Sequence, residues 1–372
     1  MNLSFQKTFF AIATIFALFA ILVVGRSILI PISFALLISF ILLPLANRFE
    51  KWGVSRMFAA LFAILATIFV LGGGIYLFST QIVSIAGEFS HFQEKVIKIF
   101  AEATAWLNSN MRIVPNLEKD ELMDQLKNWV SKSSGSLAQQ TFSGSAGFLA
   151  GLIATAIFIF LFLIYRKGFK DAIILYFPEE KKERAFTMLK SVQQVGQKYL
   201  VGVVLIVIII GIINSVALLI IGIDYPFFFG FLAAIMAIVP YVGTTLGATI
   251  PVLYAFMTYD SLWIPIAVII TFWFIQVVES NYLSPRVVGG TLKVNALAAI
   301  ISIIVGASVW GIAGMILFLP FTAMLRVVCQ EYDELKPIAL FIGEQNVKAK
   351  TIHVEVLDNL KKTIKTRLNK RK

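Results

Sequence analysis

The sequence predicts an all-α integral membrane protein with about eight hydrophobic membrane helices, and three observations predict it. The first is composition: 59% of the residues are hydrophobic, 14% are charged and 33 are Phe, against roughly a quarter charged in an average soluble domain. The second is where charge is missing. Charge-free windows run over 8–25, 27–47, 57–87, 133–165, 199–223, 225–259, 261–278 and 294–325. Several reach the ~20 apolar residues that cross a hydrocarbon core at about 1.5 Å rise each. The third is punctuation. The two longest windows, 225–259 and 294–325, are interrupted by Pro and Gly rather than by charge.

The first span covers about 8–29. Lys7 followed by the apolar run Phe9–Gly25 resembles a signal peptide, but no small-x-small cleavage site follows, so the run is read as an uncleaved span, with Arg26 snorkelling near its end. The second span runs from Pro31 to about 46, with Pro44 near its end. The third covers 57–78 and holds Gly72-Gly73-Gly74, which is either a hinge, a close-packing site or a weak point in the helix. These make an N-terminal unit, 1–78. Residues 79–145 are polar. Ile82, Ile85, Phe89, Phe92, Val96, Ile99, Ala103 and Trp106 recur at alternating steps of three and four, a heptad seam that stops before Pro115. With Leu122, Leu126 and Trp129 on a second helix, this predicts an extracytoplasmic helical hairpin.

A core with broken helices follows over 146–328. Its spans are 146–165, entered through Ser143-Gly144-Ser145, then 199–222 after a basic amphipathic linker at 166–198, and 261–278. Window 225–259 is about 50 Å long as one straight helix, against a hydrocarbon core of about 30 Å. It is broken at Pro240-Tyr241-Val242-Gly243, and 294–325 is punctuated by Gly306, Gly311 and Gly314. Either each window crosses once, tilted or kinked, or each is a re-entrant hairpin. The second solution makes the chain an inverted repeat with its site at the breaks. The tail, 329–372, ends in Lys361, Lys362, Lys365, Arg367, Lys370, Arg371 and Lys372.

Charge sets the orientation. Loop 47–56 and linker 166–198 are rich in Lys and Arg, whereas the 15 residues after the third span contain neither. The positive-inside rule therefore puts both termini in the cytoplasm. The net charge of +11 flanks spans and forms no aromatic-interleaved basic patch of a nucleic-acid-binding domain. The two histidines, His91 and His353, lie outside the spans, and no phosphate-binding Gly loop or nucleophile–His pair lies within them, so no enzyme and no cofactor is predicted. The single Cys329 excludes an intramolecular disulfide.

Two stretches carry candidate chemistry. Pro240 and Pro251 disrupt helical bonding, Gly243 and Gly247 allow close backbone approach, and Thr244, Thr245 and Thr249 offer neutral donors and acceptors. Such a segment either presents carbonyls and hydroxyls to a polar solute or is a tight packing kink. Gln276, Glu279 and Asn281 close the span 261–278, with Gln276 and Glu279 one turn apart. An acid at this place is a proton carrier or cation ligand; the alternative is an interfacial Glu paired with Arg286.

At these residues the chain resembles the autoinducer-2 exporter family, the PerM-like transporters. Pro240-Tyr241-Val242-Gly243 with Gly247 and Pro251 is similar to that family's IPY-x-G-x-x-x-G-x-x-x-P element. Gln276, Glu279, Asn281, Leu283 and Pro285 are similar to its Q-x-x-E-x-N-x-L-x-P element, and Gly306, Gly311, Gly314 and Pro320 to its G-x-x-x-x-G-x-x-G-x-x-x-x-x-P element. The resemblance implies a homo-oligomeric transporter of eight helices in the bacterial inner membrane, exporting a small polar solute such as autoinducer-2. For some relatives it implies antiport of Na+ or Li+ against H+. One departure stands out: many members carry His-Pro where this chain has Asn295-Ala296. A purely structural alternative is a membrane scaffold acting through the 79–145 hairpin.

Overall fold

A computed structural model describes residues 5–87, 119–240, 242–289 and 292–344. Among them are eleven α-helices and no sheet. The first three are α1 (Phe5–Val24), α2 (Arg26–Lys51) and α3 (Arg56–Gly87), followed by α4 (Lys119–Leu175) and α5 (Lys182–Ile221). Next come α6 (Pro226–Met236), α7 (Val242–Thr258) and α8 (Trp263–Val278). The last are α9 (Ala296–Trp310), α10 (Ile312–Glu331) and the short α11 (Lys336–Ile342). Six helical stretches are long and apolar enough to cross a membrane: Arg26–Lys51, Arg56–Ile82, Gly147–Leu175, Glu179–Ile221, Trp263–Val287 and Ile312–Glu331. Their outer faces carry exposed Phe69, Leu152, Ile220 and Trp273. Water would penalise that surface, whereas lipid solvates it. This is a multi-pass membrane protein.

Several boundaries differ from the sequence prediction. The first break falls at Gly25, where Gly25 N–H closes α1 on Ile21 O at 2.8 Å, so Arg26 opens α2 instead of ending the first span. Helix α2 runs through both Pro31 and Pro44, because neighbouring helices tolerate proline in a membrane helix. Helix α4 passes unbroken through Ser143-Gly144-Ser145; an internal Gly costs only about 1 kcal/mol and does not force a stop. The basic linker is mostly helical, since α4 runs on to Leu175 and α5 begins at Lys182. The heptad seam predicted for the 79–145 hairpin falls mostly on 88–118, outside the described residues.

Helices α2, α3 and α4 pack through small and branched side chains, with Ala35, Ala46, Ala60, Ala63, Ile159 and Leu163 buried together. Arg166 on α4 clamps this unit by donating to both Glu50 oxygens at 2.6 and 2.7 Å. A second core joins α5, α6, α7 and α8 around Leu218, Phe229, Ala255 and Val268.

The two long windows each hold a pair of helices folded onto one another. In the first, Gly222 (φ 90) caps α5 in the left-handed region, with its N–H and that of Ile223 both donating to Leu218 O. Pro226 then starts α6 at a position that needs no N–H. Helix α6 ends at Met236, Pro240 in the following turn cannot donate, and α7 returns alongside α6. A Cβ on Gly243 would stand 1.6 Å from Met236 O, and one on Gly247 2.9 Å from Ala233 Cα. Contacts that step forward on one helix and backward on the other define an antiparallel pair. The Phe229 and Tyr254 rings meet further along at 4.7 Å. In the second window the turn is Gly311, at φ 60 and ψ −137, a conformation that side chains other than hydrogen rarely adopt. There the Gly306 and Gly314 backbones touch, and the Ser302 and Thr322 hydroxyls lie 2.7 Å apart. Helix α10 lies antiparallel on α5, with Met324 Cε against Gly196 and Arg184 Nε donating to Glu331 at 2.6 Å.

Candidate functional site

Polar side chains gather where α5, α6, α7 and α8 meet. A cavity of about 490 Å³ there is lined by Asn214 of α5, by Thr244, Thr245 and Thr249 of α7, and by Gln276 and Glu279. The sequence places these groups together for identifiable reasons. The fold-back at Pro240 brings the threonines beside α5 and α8, and the i, i+3 spacing puts Gln276 and Glu279 on one face. Thr249 Oγ donates to Thr245 O at 2.8 Å, which leaves its lone pairs toward the cavity.

A second cavity of about 490 Å³ shares Ala237 and Glu279 with the first. Its polar lining is Tyr199, Ser280, Ser284 and Glu344, and Leu319 of α10 forms part of its wall. Glu279 is half-buried, with the Ser284 hydroxyl as its hydrogen-bonding neighbour. The sequence put Glu279 at the end of a span. Instead the helix continues past it as two π-helical turns, Glu279–Leu283 and Pro285–Gly289, within one apolar stretch from Trp263 to Val287. Single π turns interrupt α-helices mostly at functional sites. The pair with Arg286 does not form; that guanidinium lies 5.8 Å from the Tyr282 ring centroid.

The other predicted residues take different places. Gly243, Gly247 and Pro251 are buried in the α6–α7 packing, and Pro240 shapes the turn by accepting from Val242 N–H at 2.7 Å. Tyr241 lies outside the described residues. Asn281 turns back on its own helix, donating to Val277 O at 2.8 Å. Pro285 lines the second cavity. Gly306, Gly314 and Pro320 are buried in the α9–α10 pair and Gly311 sits at its turn; none of the four lines either cavity.

Sequence reasoning missed Asn214. It is 3% exposed, donates weakly to Gly230 O at 3.4 Å, and its Oδ1 has no hydrogen-bond partner among the described residues. The signal was present as the polar pair Asn214-Ser215 in the middle of an apolar window. It also missed the use made of Asn295. The Asn295 side chain caps α9 by accepting from Ala298 N–H at 2.8 Å, and donates to Phe341 O and Gly343 O at 2.5 and 3.1 Å. Together with the backbone bond from Glu344 N–H to Lys293 O, it holds the end of α11 at the start of α9, beside the second cavity. Among the described residues no cluster of three or more metal-ligating side chains occurs.

Comparison with known proteins agrees with this architecture. The AI-2E family transporter model matches residues 9–334. The chain is similar to YrrI of Bacillus subtilis (strain 168), at 27% identity over 317 residues, covering 82% of this chain and 86% of that one. It is also similar to the AI-2 transport protein TqsA of Escherichia coli (strain K12), at 24% identity over 331 residues, covering 87% and 91%. A match across nearly the whole hydrophobic chain decides the matter: the protein belongs to the AI-2E family, and is a multi-pass membrane transporter rather than an enzyme.

Proposed function

We propose that the protein exports a small polar solute along the two joined cavities, with Glu279 coupling transport to a proton or cation. The observation that carries this is the position of Glu279, the one carboxylate among the described residues that lines both cavities. Thr244, Thr245, Thr249, Gln276 and Asn214 supply neutral donors and acceptors for a hydroxylated solute, and Glu279 supplies a charge that can be neutralised. TqsA is named for AI-2 transport, which supports an autoinducer-2-like cargo. The folded-back pairs α6–α7 and α9–α10 are then re-entrant hairpins. Each follows a long helix, α5 or α8, and this recurrence supports an inverted repeat working by alternating access. Both termini are cytoplasmic in this scheme, and the homo-oligomer that the family resemblance implies is part of it. Its functional units are 1–78, 79–145, 146–328 and 329–372, with the tail on the cytoplasmic face.

A second reading, antiport of Na+ or Li+ against H+ with no organic solute, is favoured by the pairing of Glu279 with Glu344 in one cavity. Purified protein in proteoliposomes separates the two. Autoinducer-2 flux driven by an imposed pH or sodium gradient supports export. Sodium-dependent dequenching of a pH dye without solute flux supports antiport, and neither signal would remove Glu279 from any coupling role.

A further inference from the structure

Away from these cavities, a cleft of about 560 Å³ opens where α2, α4 and α5 meet. Its wall is apolar, with Leu43, Phe162, Phe186 and Leu189 facing it. Its rim is strongly basic and carries Arg166, Lys167, Lys170 and Lys190. Arg166 is matched by Glu50. Lys170 lies 5.0 Å above the Phe186 ring and 3.9 Å from the Asp171 carboxylate. Lys167 and Lys190 are exposed, and among the described residues no carboxylate lies within ion-pair distance of either.

We propose that this cleft binds one anionic phospholipid. Its headgroup phosphate lies on Lys167, Lys170 and Lys190, and an acyl chain fills the slot against Phe162, Phe186 and Leu189. The shape and the charge point to the same class of molecule. A soluble anion satisfies the rim but leaves the apolar wall uncovered. A zwitterionic lipid covers the wall but brings no net charge to three lysines. Basic pockets between membrane helices select anionic headgroups for this reason, at about 1 kcal/mol per lysine near the surface. The same segment, 166–198, is the one that the positive-inside rule assigns to the cytoplasmic leaflet. The bound lipid would bridge the α2–α4 unit to α5, the helix that also carries Asn214 and Tyr199. The assignment does not depend on which solute is carried.

The test uses the full chain, delipidated in detergent and titrated separately with dioleoylphosphatidylglycerol, dioleoylphosphatidylcholine and inorganic phosphate, with retention read by native mass spectrometry. One phosphatidylglycerol per chain should be held in preference to phosphatidylcholine. K167Q/K190Q should weaken that binding about thirtyfold, at about fivefold per lysine. Leu189→Trp, which keeps every cation and fills the slot, should also lose the lipid. Equal retention of the two lipids, or unchanged retention in either variant, overturns the proposal. So does displacement of phosphatidylglycerol by equimolar inorganic phosphate, which would make the rim a free-anion site.

Discussion

Replacing Gly314 by Ala puts a methyl group where the α9–α10 pair has no room. The new Cβ would stand 1.9 Å from the Gly306 carbonyl oxygen and 2.5 Å from its carbon. Unstrained contact needs about 3.5 Å, so the two backbones would have to separate by about 1.5 Å. The obstacle is main chain, which no rotamer change can clear. Overpacking of this kind costs about 1–3 kcal/mol, and the helix propensity gained in going from Gly to Ala offsets up to about 1 kcal/mol of that. The variant should therefore melt below the wild type, with a net loss of up to about 2 kcal/mol when the offset is complete. Gly73→Ala is the matched control. Nothing lies within 4 Å of the Cβ it adds, so only the propensity gain remains and its midpoint should hold or rise. Melting of detergent-purified protein followed by tryptophan fluorescence reads both. If Gly314→Ala melts with the wild type, or if both alanines cost the same, the back-to-back packing that folds 294–325 into a pair is wrong.

Asn214 and Asn295 give two further predictions. Asn214→Leu removes an amide whose buried Oδ1 has no partner among the described residues, a cost of about 1–3 kcal/mol. The variant should melt higher and carry solute several-fold more slowly; a lower midpoint with unchanged flux would contradict its place in the pathway. Asn295→Ala should lose about 1 kcal/mol of capping energy and release α11, seen as faster hydrogen exchange over 336–344. Asn295→Asp keeps the acceptor for Ala298 N–H but cannot donate to Phe341 O and Gly343 O. Exchange over 336–344 should still rise while Ala298 stays protected.

Much of the fold was legible because a bilayer makes helix and apolar length nearly synonymous. The charge-free windows located the spans, and excess length marked the two that fold back. The boundaries were less legible where the usual punctuation was overridden. Pro31 and Pro44 lie inside α2, where neighbouring helices tolerate proline, and Ser143-Gly144-Ser145 lies inside α4, where an internal Gly costs only about 1 kcal/mol. Thr244, Thr245, Gln276 and Glu279 were named from residue type and spacing, and the fold brings them to one cavity. Their companions Asn214, Tyr199 and Glu344 were not, since these come from distant segments that only the tertiary fold brings near. The glycines of 306–314 were legible as special positions, but Gly306 and Gly314 serve helix-to-helix contact and Gly311 the turn, and none lines a cavity. Asn295 read as a departure from the His-Pro pattern, and its work as a cap and clamp required the α9–α11 geometry.

One measurement tests the coupling role proposed for Glu279 directly. Wild-type protein and Glu279→Gln are reconstituted at equal density in proteoliposomes, and autoinducer-2 flux is recorded with and without an imposed pH gradient. The amide keeps the size and most of the hydrogen bonding of the carboxyl but cannot change charge. The account predicts gradient-dependent flux in the wild type and loss of that dependence in the variant. Flux that responds equally to the gradient in both proteins would contradict it.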